Sequence, residues 1–262
     1  MKIDYIKIKK PLVRWLSGVR WKSNFQEIEL EITTFCNLKC YNCDRSIRQA
    51  PSVECMSLSQ IQKFVRESIN LKWKWNKITL LGGEPTLHPQ ILEIVEIIRQ
   101  YTNLNPNCVL EIATNGYGVT VNSVLKKIPG WVSIRNTDKT SIIHDFCSYN
   151  IAPIDLREYR GADFTKGCWI TTACGLGPTK YGYYSCGAGA SVDRVFGFDV
   201  GIKKLKDVGN RSLKKQMKII CSYCGHYKKN RNTKRTREEA ISPRWANAYS
   251  GYRKQKPVLS KY

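Results

Sequence analysis

A parallel α/β sheet closed into a partial (β/α) barrel, with a small C-terminal cysteine-rich module, is the fold class this sequence predicts. Three observations predict it. Strand-like runs alternate with helical patterns between residues 25 and 155. Four distinctive strings each follow a strand: the cysteine loop at 36–43, Gly82-Gly83-Glu84-Pro85, Thr114-Asn115-Gly116, and Ser133 to Asn136. After about residue 155 the rhythm stops, and glycine, tyrosine and cysteine take over.

The elements follow in order. Ile28-Glu29-Leu30-Glu31-Ile32 alternates apolar and polar, as a strand does, and runs into the cysteine loop. Ser57 suits an N-cap, and Ile61, Phe64, Val65 and Ile69 then share one helical face. Ile78 to Leu81 reads as a second strand, stopped by Gly82-Gly83. Pro89 suits the first turn of a helix whose apolar side is Ile91, Leu92, Ile94, Val95 and Ile98. Val109 to Ala113 is a third strand, Val119 to Ile128 a short helix, and Trp131 to Ile134 a fourth strand. Roughly four to six such units are too few for an eight-fold barrel, hence the partial one. Loops at the C-terminal ends of parallel strands build active sites, so one pocket is expected to collect all four strings. Lys180-Tyr181-Gly182-Tyr183-Tyr184 looks like a hairpin with a glycine turn. The expected division is a basic extension at 1–24, the barrel at 25–155, and the module with a basic tail at 156–262.

At 262 residues and 42% hydrophobic content, the chain can bury one good-sized core, or a main domain plus a small one. Eleven cysteines are too few for a disulfide scaffold of this length, and their grouping suits metal ligation in a reducing compartment. The N-terminus lacks the apolar stretch of a signal peptide, and no segment approaches the roughly 20 apolar residues that span a bilayer. A cytoplasmic protein is expected. The net charge of +22 attracts anions, which makes an anionic small molecule the expected substrate. The excess lies at the ends, in residues 2–22 and from Lys228 to Arg237, and reads first as a solvated basic face. No nucleic-acid motif accompanies it, so no specific nucleic-acid partner is expected. Contact of the N-terminal segment with a membrane surface is a weak expectation, because Pro11 interrupts it.

Cys36, Cys40 and Cys43 form a C-x3-C-x2-C triad. A structural zinc wants four ligands, whereas three thiolates on a short loop suit a four-iron cluster with one iron left open. The triad and the strings that follow resemble the signature of the radical S-adenosylmethionine (SAM) superfamily. That resemblance implies that the three thiolates hold a 4Fe-4S cluster and that SAM chelates the open iron. It also implies that Gly82, Gly83, Glu84 and Pro85 receive the methionine ammonium. Thr114 and Asn115 then face the ribose or the methionine carboxylate, with Ser133 and Asn136 as weaker candidates. The family usually places an aromatic just before the last cysteine. Here Asn42 holds that position and Tyr41 precedes it, which leaves the adenine contact between the two open.

Cys168, Cys186, Cys221 and Cys224 supply four more thiolates. The residues alone fit zinc about as well as a fully ligated cluster. Their layout resembles the twitch module, the short form of SPASM, which implies one auxiliary 4Fe-4S cluster. Cys174 competes with Cys168 as ligand, while Cys55, Cys108 and Cys147 read as structural thiols. Among such enzymes, the layout is similar to dehydrogenases that oxidise a secondary alcohol of an aminocyclitol, as in butirosin biosynthesis. The resemblance thus implies reductive cleavage of SAM to a 5′-deoxyadenosyl radical and hydrogen abstraction from a sugar, cyclitol or phosphorylated small molecule. The auxiliary cluster would take the second electron, and a flavodoxin or ferredoxin would supply the first. His144, Arg157 and Tyr159 are weak candidates for the proton acceptor. Peptide crosslinking or epimerisation is an alternative, as is sugar epimerisation with Cys174 returning a hydrogen atom. A basic zinc module contacting nucleic acid or membrane is the reading from a different class.

Overall fold

The computed structural model describes residues 20–227 and 241–262. The stretch from Lys228 to Arg237 and almost all of the basic segment 2–22 lie outside them. Four parallel strands form one sheet, β1 (Glu27–Thr33), β2 (Lys77–Gly82), β3 (Val109–Thr114) and β4 (Ser133–Asn136), in the order β1-β2-β3-β4. Parallel neighbours need long crossovers, and the helices α1 (Leu58–Asn70), α2 (Ile91–Leu104) and α3 (Val119–Leu125) provide them.

Side chains alternate across a strand, and the register turns that alternation into rows. Ile28 pairs with Ile78 and Ile78 with Leu110; Leu30 pairs with Leu80 and Leu80 with Ile112. These six are buried in one core with Ile61, Phe64 and Val65 of α1 and Ile94, Val95 and Ile98 of α2. Burying each such side chain contributes about 1.5–3 kcal/mol. The helix α1 starts where the sequence predicts. The Ser57 hydroxyl accepts from the Gln60 N–H, and Gln60 Oε1 accepts from the Ser57 N–H, a closed capping box.

The opposite face of the sheet carries Glu29, Glu31 and Thr33, and it is not solvated. Glu31 is only 4% exposed. This face looks into the hollow of the partial barrel. The outer edge of β1 is taken by residues 176–178. The Glu29 and Glu31 N–H groups donate to the Leu176 and Pro178 carbonyls at 2.8 and 3.0 Å, and the Leu176 N–H donates to Glu27 O at 3.1 Å. The remaining helices are α4 (Trp169–Ala173), α5 (Gly187–Phe196), α6 (Asn210–Tyr223) and α7 (Pro243–Lys254). They share one hydrophobic core with the sheet, running from Ile28 to Ile220 and Trp245.

Three local expectations need correction. The fourth strand begins at Ser133 rather than Trp131, because the Val132 N–H closes a turn onto Pro129 O and pairing starts only at Ser133 with Glu111. Pro89 precedes the second helix instead of opening it: Gln90 is the N-cap and Ile91 the first helical residue. The Lys180–Tyr184 segment is a tight turn, with Thr179 and Gly182 exchanging backbone hydrogen bonds at 3.0 and 3.1 Å. Tyr183 then pairs with distant Ile202, and the chain enters α5 instead of returning as a second strand.

Candidate active site

The C-terminal ends of the strands gather the cysteine triad, Gly82 to Pro85, and Thr114-Asn115 on one side of the sheet. β2 continues its pairing past its end: the Gly83 N–H donates to Thr33 O at 2.9 Å and the Glu84 N–H to Phe35 O at 2.7 Å. This crossing is so close that a Cβ on Gly83 would collide with the Phe35 carbonyl and the Cys36 side chain. Glycine is therefore required to hold the turn against the first cysteine.

The triad loop is pinned from its other side by residues 142–146. The Lys39 N–H donates to Ile142 O at 2.7 Å, the Tyr41 N–H to His144 O at 2.8 Å, and the Phe146 N–H to Tyr41 O at 3.2 Å. Asn42 has a φ of 54°, the left-handed region that Asn tolerates better than most residues. Its side chain is buried and donates to Phe146 O at 3.1 Å. Asn42 thus shapes the loop, while the Tyr41 ring lies under the Arg48 guanidinium at 4.6 Å.

Glu84 is fully buried and is already engaged. Its Oε1 accepts from the Thr86 N–H, the Thr86 hydroxyl at 2.7 Å and the Thr114 hydroxyl at 2.8 Å; its Oε2 accepts from the Asn115 N–H at 2.7 Å. The carboxylate ties the end of β2 to the end of β3. Asn115 and Asn37 complete the tie, with the Asn115 amide donating to Asn37 Oδ1 at 2.8 Å and the Asn37 amide to Tyr117 O at 2.6 Å. Asn37, between two of the cysteines, was not singled out by its sequence context. Asn136 stands at the same end of the sheet, its Oδ1 beneath Gly116 and accepting from the Asp138 N–H. Ser133 is three residues earlier in β4, about 10 Å from that end, and so is not brought to the site.

Burial pushes the Cys36 thiol up to about 11 and the Cys43 thiol up to about 12, and raises that of Cys40. Thiols in this setting carry charge only beside a cation, as metal ligation provides. Among the described residues, no three His, Cys, Asp or Glu side chains are grouped closely enough for a single metal ion, so neither thiol set is preassembled as a mononuclear site.

The second thiol set lines one small, largely apolar cavity of about 10 Å³. Cys168 is the N-cap of α4, Cys186 the N-cap of α5, Cys221 lies in the last turn of α6, and Cys224 is its C-cap. Ile170, Ala188, Gly189 and Ile220 form most of the remaining wall, with His226 and Tyr227 beside them. Burial drives all four thiols up, those of Cys168 and Cys186 to about 11 and 12. Four thiols on a dry wall fit a fully ligated cluster. Cys174 stands apart from this lining; burial raises its thiol to about 12, with Glu29 and Arg45 as its charged neighbours.

Between the two thiol sets lies a charged network. Arg45 pairs with Glu29 at 3.1 Å and with Asp44 at 3.7 Å, and Arg194 of α5 pairs with Glu31. Asp44, next to Cys43, faces His226, two residues after Cys224, at 3.6 Å. Of the three candidates for the proton acceptor, one, His144, sits beside the triad loop, which its backbone carbonyl helps to pin. The His144 ring is turned onto Ser141 O at 2.9 Å, Arg157 is exposed, and Tyr159 packs edge-on against Tyr227.

Residues 30–131 match the profile of the Radical SAM superfamily. Among curated proteins, the chain is 29% identical over 109 residues to the probable GTP 3′,8-cyclase of Methanococcus maripaludis strain C7, covering 42% of this chain and 34% of the relative. It is 34% identical over 100 residues to the GTP 3′,8-cyclase of Haemophilus ducreyi, covering 37% of this chain and 28% of the relative. The chain thus spans about a third of the length of the curated relatives it matches. Among solved structures, BtrN in complex with AdoMet and 2-DOIA aligns with a TM-score of 0.48 at 14% identity, over 84% of this chain and 98% of that one.

Proposed function

Residues 30–131 are a radical SAM domain, and from that premise we propose that the protein is a radical SAM oxidoreductase acting on a polar small molecule. The observation that carries the oxidoreductase reading is the cavity lined by Cys168, Cys186, Cys221 and Cys224. It supports a second, fully ligated 4Fe-4S cluster beside the one on Cys36, Cys40 and Cys43. When bound, SAM and the first cluster supply a radical that removes hydrogen from the substrate; a second cluster would accept the electron that completes the oxidation of an alcohol.

The chain's own part is positioning. Gly82 and Gly83 bring the backbone against the triad loop, and Thr114, Asn115 and Asn37 present polar groups beside it. Glu84 acts in this reading as the buried acceptor that fixes those groups, its Oε2 holding the Asn115 N–H. A flavodoxin or ferredoxin is the proposed reductant. No described helix is long and apolar enough to cross a membrane.

The test is iron and sulfide analysis after anaerobic reconstitution, with and without Cys221→Ala and Cys224→Ala. About eight irons per chain are expected for the natural sequence and about four for the double variant. SAM cleavage should persist in that variant, while ketone formation from alcohol substrates is lost. Four irons in both proteins would remove the second cluster, and zinc in place of iron would remove the whole reading. The matches to GTP 3′,8-cyclases favour a second reading, a radical cyclisation of a nucleotide. Incubation with GTP decides it, by whether a cyclised product forms.

A further inference from the structure

The two residues that follow the last cysteine of the triad reach the wall of the second thiol set. Asp44 faces His226, which stands on that wall two residues after Cys224. The Arg45 guanidinium lies against Gly187, the residue after Cys186, so closely that a Cβ there would overlap Nη1. Gly187 opens α5 without a positive φ, so its backbone does not call for glycine. The room taken by Arg45 does.

Only 12% of the Arg45 side chain is exposed. Its Nη2 donates to Glu29 Oε2 at 3.1 Å, and its Nε stands 3.7 Å from Asp44 Oδ1. Nη1 is buried and makes no hydrogen bond; Glu31 Oε2 is 4.0 Å away, too far to accept. The one donor nitrogen of Arg45 without a contact to a carboxylate is therefore the one turned toward Cys186. The Cys186 Sγ already receives the Gly189 N–H at 3.4 Å, and the Arg45 charge acts on the same sulfur. Positive charge and N–H donors beside cluster sulfurs favour the reduced, more negative state and so raise the reduction potential. We propose that Arg45 is a positioning residue for the second cluster: held beside Cys186 in the space that Gly187 leaves, its charge raises that cluster's potential and fits it to accept an electron. The assignment rests on the second cluster of the oxidoreductase reading.

The test is a potential, which a merely structural counterion to Glu29 would not set. The full chain is reconstituted anaerobically with saturating SAM, and iron and sulfide are counted first. Redox titration followed by electron paramagnetic resonance then gives the one-electron midpoint of the second cluster, read as the signal that SAM does not alter. Arg45→Met should lower that midpoint by about 59 mV, a tenfold change in the ratio of reduced to oxidised cluster at a fixed potential. Arg45→Lys keeps the charge and should leave the ratio within about threefold of the natural protein. Gly187→Ala keeps every charge but displaces the guanidinium, and should lower the ratio about threefold. It reports on the assignment even if Arg45→Met fails to fold. An unmoved or raised midpoint in Arg45→Met or in Gly187→Ala overturns the assignment. So does a fall in Arg45→Lys as large as that in Arg45→Met, because the effect is then not one of charge. Four irons, or zinc, in the natural protein overturns the second cluster and this assignment with it. Eight irons with a midpoint indifferent to the substitutions overturns the role of Arg45 alone.

Discussion

Glu84 does two things with one side chain: it is a motif residue, and it is the knot between β2 and β3. Replacing it with alanine strands the Thr86 and Asn115 N–H groups and two hydroxyls. A stranded buried donor costs about 1–3 kcal/mol, so Glu84→Ala should destabilise by about 3 kcal/mol or more. Urea unfolding measures it, and a loss below about 1 kcal/mol would contradict the knot. Glu54 makes a prediction of a different kind. Burial pushes its carboxyl up, but the Lys256 and Tyr181 hydrogen bonds and the charges of Lys180 and Arg194 outweigh burial and hold it low. A carboxyl held low when folded contributes stability above its unfolded value near 4.3, and loses it as pH falls through the folded one. The stability gap between the natural protein and Glu54→Gln should therefore be full at pH 7 and close as the pH falls below about 4, in denaturant titrations at each pH. The sequence revealed Glu84 through its motif. Glu31, Glu54 and Arg194 carried no such mark, because isolated charges read as surface until the fold encloses them.

At the level of elements, the β2 turn depends on a backbone approach that admits no side chain. Gly83→Ala should push Phe35 and Cys36 away and abolish assembly of the first cluster, read as a loss of about four irons with the chain still folded by circular dichroism. At the same end of the sheet, Ser57→Ala opens the capping box of α1 and should cost about 1 kcal/mol in thermal or urea unfolding. Three of the four strands were legible because Ile, Leu and Val alternate with polar residues across them. That alternation told where the strands lie but not what the polar face meets. Glu29 and Glu31 look like solvent-facing residues of a half-exposed strand, yet a barrel turns that face inward. Trp131 and Val132 imitate a strand start, and only the turn onto Pro129 shows otherwise. The tight turn at Thr179–Gly182 imitates a hairpin, and the distant partner Ile202 is invisible to any local pattern.

On the scale of the whole molecule, the sheet and the cysteine-rich half are one packed body. Tyr149, Trp245 and Tyr183 join the same core as Ile28 and Ile112. Urea unfolding should therefore show a single transition by fluorescence and circular dichroism, and two separated transitions would contradict the shared core. The Glu31–Arg194 pair crosses between the two halves and is almost wholly enclosed. Arg194→Met leaves a buried carboxylate without its cation and should cost about 3–5 kcal/mol.

The placement of residues 176–178 along β1 has a further consequence, for association. An uncovered strand edge is a template on which a second chain can pair. Here the longest strand has its edge occupied from within the chain, by a segment whose Pro178 carbonyl takes the last of those donors. Among the described residues, the opposite edge of the sheet is β4, four residues long and carrying Arg135 beside Glu111. A short, charged edge gives a neighbouring molecule little ladder to extend, and this open sheet is thereby guarded against growing into its own copies.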